Sequence, residues 1–322
     1  MSQHANPIQT LLRDVPFMVI DGALATELEA LGCDLNDSLW SARLLSEAPE
    51  TIRQVHQAYF EAGADCAITA SYQATIPGFV QAGLTEQEAR TLITRSVTLA
   101  VEARDAVWQP ESGRPKPLVA ASVGPYGAYL ADGSEYRGGY DLDRAGLIDF
   151  HRERLALLLE AGADLLAVET LPSLDEALAI TDLLAEHPGA QAWITFSAKD
   201  GAHISDGTPI TECARALAGL PGVAAVGVNC TALAHIEPLI EVIKQACDLP
   251  VLVYPNSGEE YDPATKTWHP AKCGHTQSAP SGLIQGAAAW LAAGASGIGG
   301  CCRTTPDDIR ALALWREKLT RD

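Results

Sequence analysis

The chain has 322 residues, 47% hydrophobic and 20% charged, with 22 basic and 41 acidic side chains for a formal charge of −19. This composition supports a sizeable core and argues against global disorder. The acidic balance argues against non-specific binding to nucleic acid or to an anionic membrane surface.

No segment reaches the ~18 consecutive apolar residues of a membrane helix. The first residues lack the basic start and apolar run of a signal peptide, so a cytoplasmic protein is expected. Eight cysteines are too sparse for a disulfide scaffold, and in a reducing compartment grouped cysteines point to metal or catalysis.

Along the chain, short β-rich runs alternate with helical patterns. The first run is FMVIDGA at 17–23, and a helix over 49–62 follows, with proline in its first turn and Gly63 at its end. The run CAITASY at 66–72 precedes a helix over 85–108, with Leu92, Ser96, Leu99 and Ala103 at helical spacing. PLVAASVG at 117–124 leads to a helix over 143–161. DLLAVETL at 164–171 leads to one over 173–186, which opens on the capping-box pattern Ser-Leu-Asp-Glu. Runs at 192–198, 223–230, 249–256 and 295–302 alternate with helices over 210–218, 234–246, 281–293 and 306–319. Three helices end in one repeated phrase, EAGADCAIT at 61, EAGADLLAV at 160 and AAGASGIGG at 292, each a C-terminal glycine followed by a turn into a strand.

The eight runs are apolar almost throughout, as parallel strands buried on both faces are. Eight strands each followed by a helix predict a single α/β domain, a (β/α)8 barrel of the TIM type spanning residues 1–322. A doubly wound sheet would carry a glycine-rich phosphate turn after the first strand, and Asp-Gly-Ala-Leu-Ala-Thr-Glu is not one.

In such a barrel the chemistry sits at the C-terminal strand ends. Those ends carry Asp21, Ser71, Tyr72, Ser122, Glu169, Thr170, Ser197, Asn229, Cys230, Asn256, Cys301 and Cys302. Adjacent side chains of a strand face opposite ways. Cys301 and Cys302 can therefore share a ligand only if the strand has already ended, which the preceding Gly299–Gly300 pair permits. With Cys230 they offer three thiolates and one open position, which suits a catalytic Zn²⁺ better than a closed structural site. Spacing alone leaves other readings open: a vicinal disulfide, or ordinary buried cysteines, as expected for Cys33, Cys66, Cys213 and Cys247. His269, Cys273 and His275 in the WHPAKCGH stretch form a rival cluster without a defensible role.

At these residues the sequence resembles the homocysteine S-methyltransferase family. The resemblance is carried by VNC (228–230), GGCCRTTP (299–306), DGALATEL (21–28) and ETLPSLDEA (169–177), and runs from about residue 15 to residue 318. ITASYQAT (68–75) and SVGPYGAYLADGSEYRGGY (122–140) are similar to the short bacterial and plant branch, whose members use S-methylmethionine and often S-adenosylmethionine. The resemblance implies a zinc barrel that methylates homocysteine to methionine. It places one Zn²⁺ per chain on Cys230, Cys301 and Cys302, with the substrate thiolate as fourth ligand. It also implies that Glu169 holds the homocysteine ammonium and that Asp21 lies near it. Cobalamin-dependent relatives need modules for which this chain has no room. Betaine- or methylfolate-dependent methylation and a non-catalytic zinc/thiol protein are the alternatives.

A sulfonium donor calls for aromatic faces, and Tyr72, Tyr126, Tyr129, Tyr136 and Trp40 are candidates. Asp132, Glu135 and Arg137 are candidates for its amino-acid end. Asn229 is expected to support a ligand or touch substrate, and Ser71 and Thr170 to hydrogen-bond the substrate carboxylate.

Overall fold

The computed structural model describes residues 5–35, 39–258, 260–262, 267–269 and 282–320. Its strands are β1 (Met18–Val19), β2 (Cys66–Ile68), β3 (Leu118–Val123), β4 (Leu165–Leu171), β5 (Ala192–Phe196), β6 (Val223–Asn229) and β7 (Val251–Tyr254). They continue with β8 (Glu260–Asp262), β9 (Thr267–His269) and β10 (Ala295–Ile298). Eight of them form one parallel sheet in the order β1-β10-β7-β6-β5-β4-β3-β2. The seam between β1 and β2 is closed by a single parallel bridge, Ile20 to Cys66, so the sheet is the expected barrel. No helix among the described residues is long and apolar enough to cross a membrane.

Each predicted run contains a strand, and all but β4 end before the run does. β10 stops at Ile298, and Cys301 and Cys302 both lie beyond it. One feature was not foreseen: β8 and β9 pair as an antiparallel hairpin beyond β7. The rival cluster starts at its end, since His269 closes β9 while Cys273 and His275 fall outside the described residues.

Local chemistry explains the elements. Thr85 and Glu88 form a full capping box on the helix Glu86–Val107, and Thr305 and Asp308 another on Pro306–Leu319. The box predicted at Ser173 is only half made. Ser173 accepts the Glu176 N–H, but the Glu176 carboxylate turns away to His151 and to the Tyr126 N–H. Gly63, Gly162 and Gly294, the glycines of the repeated phrase, have φ of 108°, 91° and 111°, which residues with a Cβ rarely adopt.

Two apolar layers result. Val19, Ala67, Val119, Val168, Ile194, Val226 and Val253 face the surrounding helices. Met18, Ile20, Leu165, Ala167, Trp193, Leu252 and Tyr254 fill the barrel interior. The short helix Pro7–Leu11 puts Ile8 and Leu11 into that inner cluster, and Asn6 donates to the Ala224 carbonyl at the start of β6. That helix plugs the N-terminal end and leaves chemistry to the other. Cys66 and Cys213 are buried, and Cys33 and Cys247 half-buried against the core, as small apolar residues.

Candidate active site

Cys230, Cys301 and Cys302 converge at the C-terminal mouth of the barrel, with all three sulfurs within 4.8 Å of one another. The Sγ–Sγ separations from Cys230 are 2.6 Å to Cys301 and 3.9 Å to Cys302. A Zn–S bond of ~2.3 Å in a tetrahedron puts sulfurs about 3.8 Å apart. The Cys302 pair meets that spacing, and the Cys301 pair lies closer. Three soft thiol donors with no carboxylate between them can hold a metal ion, and their chemistry fits zinc.

Backbone geometry brings the sulfurs together. Cys230 follows β6 with φ of 48°, its N–H bound to the Tyr254 carbonyl. Cys301 donates its N–H to Pro255 O at 2.7 Å, Ser257 donates to Cys302 O, and Arg303 turns the chain with φ of 67°. Gly299 and Gly300 serve a different purpose from the one expected. Neither has a positive φ. A Cβ on Gly299 would meet the Ile20 Cβ at 2.6 Å, and one on Gly300 the Thr304 Oγ1 at 2.2 Å. They are small because β1 and the following turn pass too close for a side chain.

Hydrogen bonds from Cys301 and Cys302, then from Tyr136 and Thr170, hold the Cys230 thiol well below its ordinary value. Sharing those hydrogens raises the thiols of Cys301 and Cys302.

Asp21 and Glu169 stand beside the sulfurs, both buried. Glu169 accepts hydrogen bonds from the hydroxyls of Ser122 and Tyr254. Burial pushes its carboxyl up to about 7 despite those bonds, and the Cys230 charge adds to the rise. Asp21 is raised well above the carboxylate range by burial and by the Glu169 charge, although the Ile68 N–H donates to it at 2.9 Å. That bond continues the β1–β2 seam where the backbone ladder stops. No basic side chain among the described residues forms an ion pair with either carboxylate.

Asn229 acts on its neighbour. Its Oδ1 accepts the Thr170 N–H at 2.8 Å and its Nδ2 donates to Thr170 Oγ1 at 2.7 Å. Thr170 has φ of 59°, an outlier for a β-branched residue that persists only when its surroundings fix it. So held, its hydroxyl reaches both Cys230 Sγ and the Tyr72 hydroxyl. Ser71 is not free for a carboxylate: it is buried and donates its hydrogen to Ser122 O, while Thr69 Oγ1 lies 2.7 Å from its oxygen.

The aromatic candidates divide. Tyr126, Tyr129, Tyr140 and Phe150 pack together with ring centroids 4.9–5.6 Å apart and anchor the segment after β3. Tyr136 hydrogen-bonds Cys230, Tyr72 lies close enough to feel its charge, and the Trp40 side chain lies outside the described ones. Sequence reasoning missed the support beneath them. Arg154 donates to His151 Nδ1 at 2.8 Å and to Gly124 O at 2.6 Å, and His151 Nε2 meets Glu176 Oε1 at 2.9 Å. Arg154 also reaches Tyr72 O at 3.4 Å. Only the broken capping box at Glu176 signalled this network.

A family model described as homocysteine S-methyltransferase matches residues 18–315. Over 317 residues the chain is 57% identical to homocysteine S-methyltransferase YbgG of Bacillus subtilis, covering 98% of this chain and 99% of the relative. It is 52% identical to the homocysteine S-methyltransferase of Escherichia coli, covering 97% of this chain and 99% of that one. Among solved structures, the metallated form of the Escherichia coli homocysteine methyltransferase MmuM superposes with a TM-score of 0.85 at 48% identity, over 96% of this chain and all of that one. Its oxidized form gives 0.86 at 48% identity, over 97% and 100%.

Proposed function

Because the chain belongs to the homocysteine S-methyltransferase family, we propose that it transfers a methyl group from a sulfonium donor, S-methylmethionine or S-adenosylmethionine, to homocysteine in a zinc-dependent reaction. The observation that carries this reading is the meeting of Cys230, Cys301 and Cys302 beside two buried carboxylates that have no cation of their own. Bound to those cysteines, Zn²⁺ supplies a Lewis acid that keeps the homocysteine sulfur deprotonated at neutral pH.

The residues of the chain do the rest. Glu169, with Asp21 behind it, takes the homocysteine ammonium, because a buried carboxylate without a partner is costly and a substrate cation relieves it. Asn229 keeps Thr170 in its strained conformation, and with it the hydroxyl that steadies Cys230. Tyr72 and Tyr136 offer aromatic faces to the sulfonium. The sulfur–methyl bond of the donor breaks as a methyl bond to homocysteine forms. Thiolate and sulfonium charges cancel to give two thioethers, and no proton moves in that step. A site that loses charge in this way gains from excluding water, and alignment of the two sulfurs supplies the remainder. The reading places the enzyme in a reducing cytoplasm, where free thiols persist.

The test is methionine formation by zinc-loaded protein from homocysteine with each sulfonium donor in turn, repeated on Cys301→Ala. The wild type is expected to form methionine, and the variant to lose zinc and more than about a hundredfold in rate. No methionine from either donor with zinc bound would overturn the donor assignment in favour of betaine or methylfolate.

A further inference from the structure

The segment after β3 brings a third carboxylate to the mouth of the barrel. Glu135 lies in the turn Ser134–Tyr136. Its backbone is fixed from two sides: Ser197 Oγ donates to Glu135 O at 3.1 Å, and Gly127 passes so close that a Cβ there would meet Glu135 N at 2.5 Å. Three residues later Gly138 lies against Pro172 and Asp206, which ties the segment over the end of β4. The carboxylate takes a hydrogen bond from its own N–H, but its Oε2 is fully buried with no hydrogen-bond partner. The nearby Arg137 turns outward and is exposed, with Asp132 O as its acceptor. Glu135 is close enough to Cys230 and to Tyr72 for its charge to act on both; Glu169 acts on the same two groups and on Asp21, so the two carboxylates face one site from different strand ends.

A rigidly held, desolvated carboxylate oxygen with nothing to accept from is costly unless a cation joins it. Arg137 is near enough for its charge to act on Glu135, but among the described residues no basic side chain forms an ion pair with it. The reaction brings two amino acids together, each with an α-ammonium, and Glu169 with Asp21 accounts for one. From this arrangement we infer that Glu135 binds the α-ammonium of the methyl donor, so that the site selects sulfoniums that are themselves amino acids. The inference rests on the sulfonium reading above and narrows it: betaine has no N–H to donate to Glu135.

The experiment compares wild type, Glu135→Gln and Glu135→Asp as zinc-loaded full-length protein with homocysteine. The donors are S-methylmethionine and 4-(dimethylsulfonio)butanoate, which keeps the sulfonium and carboxylate but lacks the ammonium. Loss of one charge-assisted hydrogen bond should raise the KM for S-methylmethionine about tenfold or more in Glu135→Gln, with Glu135→Asp in between. The KM for homocysteine, the zinc content and kcat at saturating donor should hold, and the deamino donor should be used equally well by all three proteins. An unchanged donor KM overturns the inference and leaves the sulfonium reading standing. A rise in the homocysteine KM instead assigns Glu135 to the acceptor and also overturns it. A wild type inactive with S-methylmethionine and S-adenosylmethionine overturns both.

Discussion

The two ends of this barrel treat buried acids in opposite ways. At the N-terminal end Asp65 accepts the Val19 N–H at 2.8 Å and is held by the guanidinium groups of Arg316 and Arg114. Asp164, which is exposed, likewise accepts the Val119 N–H at 2.7 Å and pairs with Arg104 at 2.9 Å. At the C-terminal end Asp21 does the same structural work as Asp65, accepting the Ile68 N–H across the β1–β2 seam, yet among the described residues no arginine pairs with it. Glu169 and Glu135 share that condition. A paired acid is structurally complete, whereas an unpaired one keeps its attraction for a cation that the fold does not provide. The lower end therefore holds the barrel together, and the upper end leaves acids without an arginine, which are the places proposed above for two ammonium groups.

The largest test of this contrast is Asp65→Ala. It leaves Arg316 buried without its acid and the Val19 N–H without an acceptor, and should destabilise the fold by about 3–5 kcal/mol in denaturant titration, with kcat unchanged in the protein that remains folded.

Glu169→Gln should act the other way in metal-free protein. Burial raises the Glu169 carboxyl to about 7 from an ordinary 4.5. The folded state therefore prefers the protonated acid, and stability falls as pH rises from 4.5 through 7. A shift of that size amounts to about 3 kcal/mol. The variant should lose this part of the pH dependence and match or exceed wild-type stability above pH ~7, while its KM for homocysteine rises. A stability loss like that of Asp65→Ala would erase the distinction between the two ends.

The smallest effect is expected for Asn229→Ala. Releasing Thr170 from its left-handed conformation should cost about tenfold in kcat/KM with the melting temperature little changed. A large loss of stability and an unchanged rate would return Asn229 to a structural role.

Much of the site was legible from local sequence. Strand ends carry function in a barrel of this kind, so Cys230, Cys301, Cys302, Glu169 and Asp21 could be named before any coordinates. The apolar runs and the repeated glycine phrase fixed the alternation of strand and helix, because burial on both faces and a left-handed C-terminal residue each leave a local mark. What local sequence could not reveal was partnership. Ser71 looks like a free hydroxyl until its hydrogen is found on Ser122 O. Glu176 looks like half of a capping box until His151, 25 residues earlier, takes its carboxylate.

The sequence by itself determined the architecture through its periodicity and put the three cysteines and the two acids at strand ends, while the roles proposed for them came from the family resemblance. Only the tertiary structure decided which acids have an arginine and which do not, that Asn229 serves Thr170, and that Glu135 reaches the mouth with an oxygen unpaired. Those facts depend on contacts between residues far apart in the chain. The energy of a buried charge is set by what surrounds it in space, and neighbours in sequence do not report that.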